Sequence, residues 1–333
     1  MTSRRIMRAA LAAAALAMAV PAAAATYTVN VGNPLDLGTV IAAAAGDTVF
    51  KIDPATGSVT VLSGGGRRVS TDSVRALVTV TCKPARTPET TCKDTNLKIQ
   101  LGTVGLVTGR ARALTSFTVS MGTATLVGAP TGTNPVSFQL APLGDNTPKT
   151  FYLGASFPVA GDDSGLPTGA GENSFYAQIL DNLGVPYATD TDKGKLKALR
   201  ALSLAKTSDL AFGQIKVPSS GTSTVTLNPS TGVRTVTGNG AGFPAPAPTR
   251  AAFTVTGEGG QQVSINIPST INLTGPGTLP VAITSTAATA PSLPGPPGSA
   301  GTYGFNIGGS FTITPTTPTG AYAGILTVSV DYN

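Results

Sequence analysis

GDTVFKIDPATGSVTVLSGGG (Gly46–Gly66) contains two short runs, TVFKI and SVTVL, in which apolar and polar residues alternate. A period of two puts alternate side chains on opposite faces of an extended chain, so each run reads as a half-buried strand. Between them stands Asp-Pro-Ala-Thr-Gly. Asp caps its own backbone, Pro presets φ at the second turn position, and Gly accepts positive φ, so this joint is a turn. The stretch therefore reads as two strands and a tight connection.

The same pattern recurs further along the chain. Leu37–Cys82 aligns without a gap on Phe212–Gly257. Gly38 falls on Gly213, Gly46 on Gly221, and DPATG (Asp53–Gly57) on NPSTG (Asn228–Gly232). FYLGASFPV (Phe151–Val159) then matches FNIGGSFTI (Phe305–Ile313), NLKIQL (Asn96–Leu101) sits where QVSINI (Gln262–Ile267) sits, and PTGAGENSFYAQIL (Pro167–Leu180) resembles PTGAYAGIL (Pro318–Leu326). A period this long indicates tandem domains rather than a solenoid. The expected division is a signal peptide at 1–25, a first domain at 26–182, a linker at 183–197 and a second domain at 198–333. Each copy shows about seven short runs rich in Val, Ile, Thr and Phe, separated by turn residues. The expected fold class is all-β, two tandem immunoglobulin-like antiparallel β-sandwiches. KGKLKALRALSLAK (Lys193–Lys206) admits a second reading, as a short basic helix with leucines at helical spacing, against the strand reading its first-copy counterpart favours.

Composition agrees. Of 333 residues 41% are hydrophobic, enough for a core, while aromatics are 5% and charged residues 11%. Gly 40 and Pro 26 suit many strands joined by turns. The chain has no histidine and no tryptophan. A Ser-His-Asp triad is therefore impossible, and the commonest general base and metal ligand is missing. A glycosidase reading is disfavoured by the scarcity of aromatics. SGGGRR (Ser63–Arg68) lacks the Lys-Ser/Thr ending of a phosphate loop and reads as a hairpin turn. No enzyme activity and no cofactor is expected.

MTSRRIMR, then AALAAAALAMAV, then PAAAA form the basic, apolar and small-residue regions of a secretory signal, with Ala23 and Ala25 marking cleavage before Thr26. The apolar run is too short to span a membrane, and no later one is long enough. Formal net charge is +6. The signal holds Arg4, Arg5 and Arg8 and no acid, so the mature chain carries 19 − 16 = +3. No basic patch interleaved with aromatics points to nucleic acid. In an exported chain Cys82 and Cys92 are expected to form a disulfide across KPARTPETT.

DLAFGQI (Asp209–Ile215), FTVTG (Phe253–Gly257), FNIGGSFTI and the terminal GAYAGILTVSVDYN (Gly320–Asn333) together resemble a family of secreted bacterial domains of unknown function, common in alphaproteobacteria and other Gram-negative species. The second copy carries the whole pattern and the first a diverged form. The resemblance implies an immunoglobulin-like sandwich, a fimbrial-subunit-like plan and a structural or adhesive role, and it supplies no catalytic residues.

Two places remain as candidate sites. Asp162, Asp163 and Glu172 form the densest acidic spot, readable as a calcium loop or as a solvated insertion. Phe175, Tyr176, Ile179 and Leu180 belong to FYAQILDNLGVPYA (Phe175–Ala188), which loses alternation and meets Pro186. That segment is expected to be an open sheet edge, able to pair with a second copy or another surface subunit. The expected function is an exported, non-catalytic structural or adhesive protein, at the surface, in the periplasm or outside the cell. The competing expectation is a periplasmic or secreted binding module, with contacts in the loops Gly161–Glu172 and Thr286–Gly301.

Overall fold

The computed structural model describes residues 24–71, 75–86, 90–181 and 183–333. Residues 1–23 of the expected signal segment lie outside them. Alternating apolar runs become strands throughout. The first half consists of β1 (Thr26–Val31), β2 (Leu35–Ile41), β3 (Thr48–Ile52), β4 (Val59–Ser63), β5 (Arg67–Arg68) and β6 (Ala76–Lys83). A single helical turn follows, α1 (Thr91–Asp94), and then β7 (Leu97–Val104), β8 (Phe117–Met121), β9 (Leu126–Thr131), β10 (Val136–Leu140), β11 (Lys149–Val159), β12 (Gly169–Leu180) and β13 (Pro186–Leu199). One sheet runs β1-β6-β11-β3-β4, with β8 added on β11. The other runs β5-β2-β13-β12-β7-β10-β9. Inward side chains of both sheets meet in one continuous core that includes Leu35, Phe50, Phe151, Phe157 and Phe175. This is the expected β-sandwich.

The second half consists of β14 (Ser203–Ser208), β15 (Ile215–Lys216), β16 (Ser223–Leu227), β17 (Arg234–Thr237), β18 (Ala241–Gly242) and β19 (Ala251–Glu258). It continues with β20 (Val263–Asn266), β21 (Thr270–Thr274), β22 (Thr278–Ser285), β23 (Ala300–Ile313) and β24 (Ser329–Tyr332). Its main sheet runs β14-β19-β23-β16-β17, with the β21–β22 hairpin added on β23. Opposite that sheet stand two separate pairs, β15–β18 and β20–β24.

Positions aligned in the sequence share local geometry. Asp53 accepts from the backbone N–H of Ala55 and Thr56, and Asn228 does the same for Ser230 and Thr231. Arg75 donates to the carbonyl of Pro54 at 3.1 Å, and Arg250 to that of Pro229 at 2.9 Å. Buried Thr48 and Ser223 each accept from a glycine N–H, of Gly66 and Gly240 respectively. Gly154 and Gly308 are glycines for one reason: a Cβ would lie 2.2 Å from the Ile52 carbonyl oxygen and 2.1 Å from that of Leu227. SGGGRR leaves β4, which pairs with β3 in one sheet, and enters β5, which pairs with β2 in the other, so it crosses between the sheets and is not the expected hairpin turn.

Three further expectations require correction. Residues 183–197, read as a linker, mostly belong to β13, which pairs antiparallel with β12 and parallel with β2. The helical reading of Lys193–Lys206 fails with it, since these residues end β13 and begin β14. Only 200–202 separate the two strands. The open edge expected at Phe175–Ala188 is absent at Phe175–Leu180, while Pro186–Ala188 at the start of β13 form a ladder with β12 alone. Phe175, Tyr176, Ile179 and Leu180 lie in β12, an interior strand with β7 on one side and β13 on the other. Pro186 opens β13, a position where its missing N–H costs no ladder bond in mid-strand.

Cys82 and Cys92 are joined, tying the end of β6 to α1 across a sequence separation of 10. From loop-closure entropy for a ring of this size, Cys82→Ser/Cys92→Ser should cost the first half about 3 kcal/mol. Denaturant unfolding should show an earlier transition for that half and an unchanged one for the other.

Candidate functional site

In the first half, β13 fills the position between β2 and β12. Gly194 lies beside Leu35 and Ala198 beside Val40, while Leu196 faces Gly171 and Ala198 faces Gly169 across the other ladder. Gly194, Leu196, Ala198 and Leu199 are buried there.

In the second half the flanking elements are present and the strand between them is not. By the sequence alignment, Leu35 and Val40 correspond to Leu210 and Ile215. The ladders place β24 where the end of β12 lies: β12 pairs Ile179 with Ile99 and Leu180 with Lys98, and β24 pairs Val330 with Ile265 and Asp331 with Ser264. Among the described residues, no strand pairs with β24 on the side away from β20, or with β15 on the side away from β18.

A groove of about 1270 Å³ occupies the gap. Its two walls are the segments 209–217 and 317–326, and its floor includes Phe253, Leu279, Phe311 and Ile313. The side chains along it show the missing cover. Leu35, Val40, Phe175 and Ile179 are fully buried, whereas Leu210, Ile215, Leu326 and Val330 are only half-buried. Ile325 is 86% exposed. The core of this half is correspondingly divided, one cluster around Phe212 and Phe311 and another around Phe253 and Phe305. An apolar channel walled by β15 and by the irregular segment 317–326 is chemically suited to taking up an extended polypeptide: backbone groups supply pairing and the floor accepts alternate side chains.

The acidic residues singled out from the sequence do not converge on a common point. Arg110, 1% exposed, donates to Asp162, and its Nε donates to the Leu166 carbonyl. The second oxygen of Asp162 accepts from the backbone N–H of Ala201 at 2.9 Å. Asp163 accepts from the N–H of Gly46, and Glu172 pairs with Lys193 at 2.5 Å. Among the described residues, no group of three His, Cys, Asp or Glu is placed to hold a metal ion. The Asp162–Ala201 contact ties this loop to the joint between the two halves.

Glu258, 1% exposed, reinforces the junction. It accepts from the Thr168 hydroxyl at 2.8 Å and from the Arg200 N–H at 3.3 Å. The Tyr332 hydroxyl accepts from the Glu258 N–H at 2.6 Å and donates to the Arg200 carbonyl at 3.1 Å. Burial is the main cause of a Tyr332 phenol pKa above the ordinary tyrosine value. Arg67 of β5 pairs with Asp331 of β24 across the same boundary.

The groove and the junction were both missed in the sequence. A signal for the groove existed: Leu183–Leu199 has no counterpart among residues 200–333, and reading it as a linker removed it from the comparison.

Residues 202–332 match a family described as a domain of unknown function, DUF4402. No curated protein matches the chain. Two solved structures show distant likeness. One is described as "Chaperone-tip adhesin complex is vital for synergistic activation of CFA/I fimbriae biogenesis". It is 8% identical with a TM-score of 0.23, over 91% of this chain and 98% of that one. The other is a protein of unknown function from Porphyromonas gingivalis W83, 10% identical with a TM-score of 0.17, over 86% and 83%. At these TM-scores neither supports an argument. No helix among the described residues is long and apolar enough to cross a membrane.

Proposed function

We propose that the protein is an exported, non-catalytic structural or adhesive subunit, surface-located or fimbria-like, built from two tandem copies of one sandwich unit. The observation that carries this reading is the strand edge left unpaired in the second half among the described residues, an arrangement of the kind that strand-pairing assembly uses. The disulfide suits an oxidising compartment. A chain without histidine lacks the usual proton shuttle.

Immunogold electron microscopy of cells expressing and lacking the protein tests it. Label at the outer surface, together with a difference in surface structures, is the expected result. A protein confined to the periplasmic fraction, monomeric at high concentration and without effect on surface structures, would overturn the reading.

A further inference from the structure

We propose that the outer face of the sheet formed by β13, β12, β7 and β10 is a saccharide-binding platform, centred on Tyr176, for an uncharged oligosaccharide of at least two pyranose rings. This deepens the adhesive reading by naming a ligand class, and it rests on that reading for the place where the ligand is met.

The platform begins with a glycine. Tyr176 of β12 stands opposite Gly102 of β7 and Thr191 of β13. Its neighbours Phe175 and Ala177 are buried in the core, so its own side chain lies on the outer face. A Cβ at Gly102 would lie 2.6, 2.7 and 2.8 Å from Oη, Cζ and Cε1 of Tyr176. Near-equal distances to three successive atoms put that point over the ring face rather than at its edge. The ring therefore lies flat on the bare backbone of Gly102, with its opposite face turned to solvent. Its hydroxyl donates to Gln100 Oε1 at 3.3 Å, which fixes the ring along β7.

The polar groups beside the ring are uncharged and already ordered. Gln178 Nε2 donates to the same Gln100 oxygen at 2.7 Å, and Gln100 Nε2 donates to Ser137 Oγ at 3.3 Å. This row crosses β12, β7 and β10, about 10 Å at ordinary strand spacing, which is room for two sugar rings. Exposed Thr189 and Thr191 continue it on β13. Gln178 Oε1 has no partner among the described residues, and each amide nitrogen carries a second proton beyond the bond it makes here. Lys98 bounds the row at one end, and the Lys193–Glu172 ion pair bounds it at the other. A nucleic acid or other polyanion would need cations within the row. An apolar protein surface would need apolar side chains there. An aromatic face edged by amides and hydroxyls matches a pyranose instead: the C–H face of the sugar lies on the ring, and its hydroxyls take the hydrogen bonds.

The test uses the full mature chain, with lactose, maltotriose and cellotriose as probes. Each is titrated while the backbone amide signals of β7 and β12 are followed by NMR. At least one sugar is expected to shift Gly102, Tyr176 and Gln178 with a Kd of about 1 mM, in keeping with a single ring and a few hydrogen bonds. Tyr176→Ala should weaken binding at least about ten-fold, whereas Tyr176→Phe, which keeps the ring, should weaken it no more than about three-fold. Gly102→Ala drives a Cβ into the ring and lifts it from the sheet, so it should weaken binding as much as Tyr176→Ala although the tyrosine remains. Lys197→Ala, on the same face beyond the row, should bind as the parent does. Thermal unfolding checks that each variant is folded. Were Tyr176→Ala to fail that check, Gln178→Ala would read the same site, with an expected loss of at least about three-fold. The proposal is overturned if none of the three sugars shifts these signals. It is also overturned if Gly102→Ala and Gln178→Ala both bind as the parent does. Binding is measured on purified protein, apart from the microscopy. A chain absent from the surface that still binds sugar removes the proposed function and leaves the platform; a surface-labelled chain that binds none removes the platform and leaves the surface role.

Discussion

Leu196→Asp is expected to destabilise the first half by at least about 4 kcal/mol. The side chain is 4% exposed and points from β13 into the single core between the sheets. Removing a buried leucine forfeits roughly 1.5–3 kcal/mol of burial. Placing a carboxylate there, with no cation to pair with, adds a desolvation penalty of several kcal/mol, relieved only if the strand leaves its place. The second outcome is the informative one. With β13 expelled, the first half would carry the same groove that the second half already shows, and exposed apolar surface should bind a reporter dye. Denaturant unfolding followed by fluorescence checks both points, with the second half as an internal reference. A loss below about 1 kcal/mol would mean that β13 packs only peripherally.

Asp162→Ala is expected to cost about 3–5 kcal/mol, the range for stranding one member of a buried ion pair. Arg110 is almost completely enclosed and would keep only the Leu166 carbonyl as acceptor. The Ala201 N–H would lose its partner as well. The cost therefore falls on the first half and on its attachment to the second. Arg110→Met/Asp162→Ala should recover most of the loss, because an apolar side chain of similar length removes the unpaired charge. Thermal unfolding of the single and double variants decides this. Equal destabilisation by both would place the importance of Asp162 in the Ala201 contact rather than in the ion pair.

The turns were legible in the sequence because their chemistry is local. Asp53-Pro54 and Asn228-Pro229 need only their own side chains to form, and they mark the repeat. The strands TVFKI and STVTL were legible because their alternation coincides with their burial. β13 was not legible, for a physical reason. Pro186–Lys193 face outward or lie at the rim, so polar residues there cost nothing, and only Gly194, Leu196, Ala198 and Leu199 meet the core. A strand of that composition owes its place to its two neighbours rather than to propensity. The open edge was consequently assigned to the wrong half. Phe175–Leu180 looked exposed once its partner had been read as a linker, and in GAYAGILTVSVDYN only Ser329–Tyr332 are paired as a strand. Arg110 and Glu258 were invisible too, since nothing local distinguishes a buried charge in a clasp from a charge on a solvated face.

The three-residue joint after Leu199 has a mechanical consequence. Tension applied to the second half enters the first along the axis of β13, with almost no slack to take up. β12 flanks that strand along most of its length and β2 flanks it over Gly194–Leu199, so at the loaded end the pull falls on both hydrogen-bond rows together. The contacts of Asp162 with Ala201 and of Glu258 with Arg200 fasten the joint at the point where the load crosses. The element that completes one sandwich is thus also the tether through which the molecule withstands being pulled.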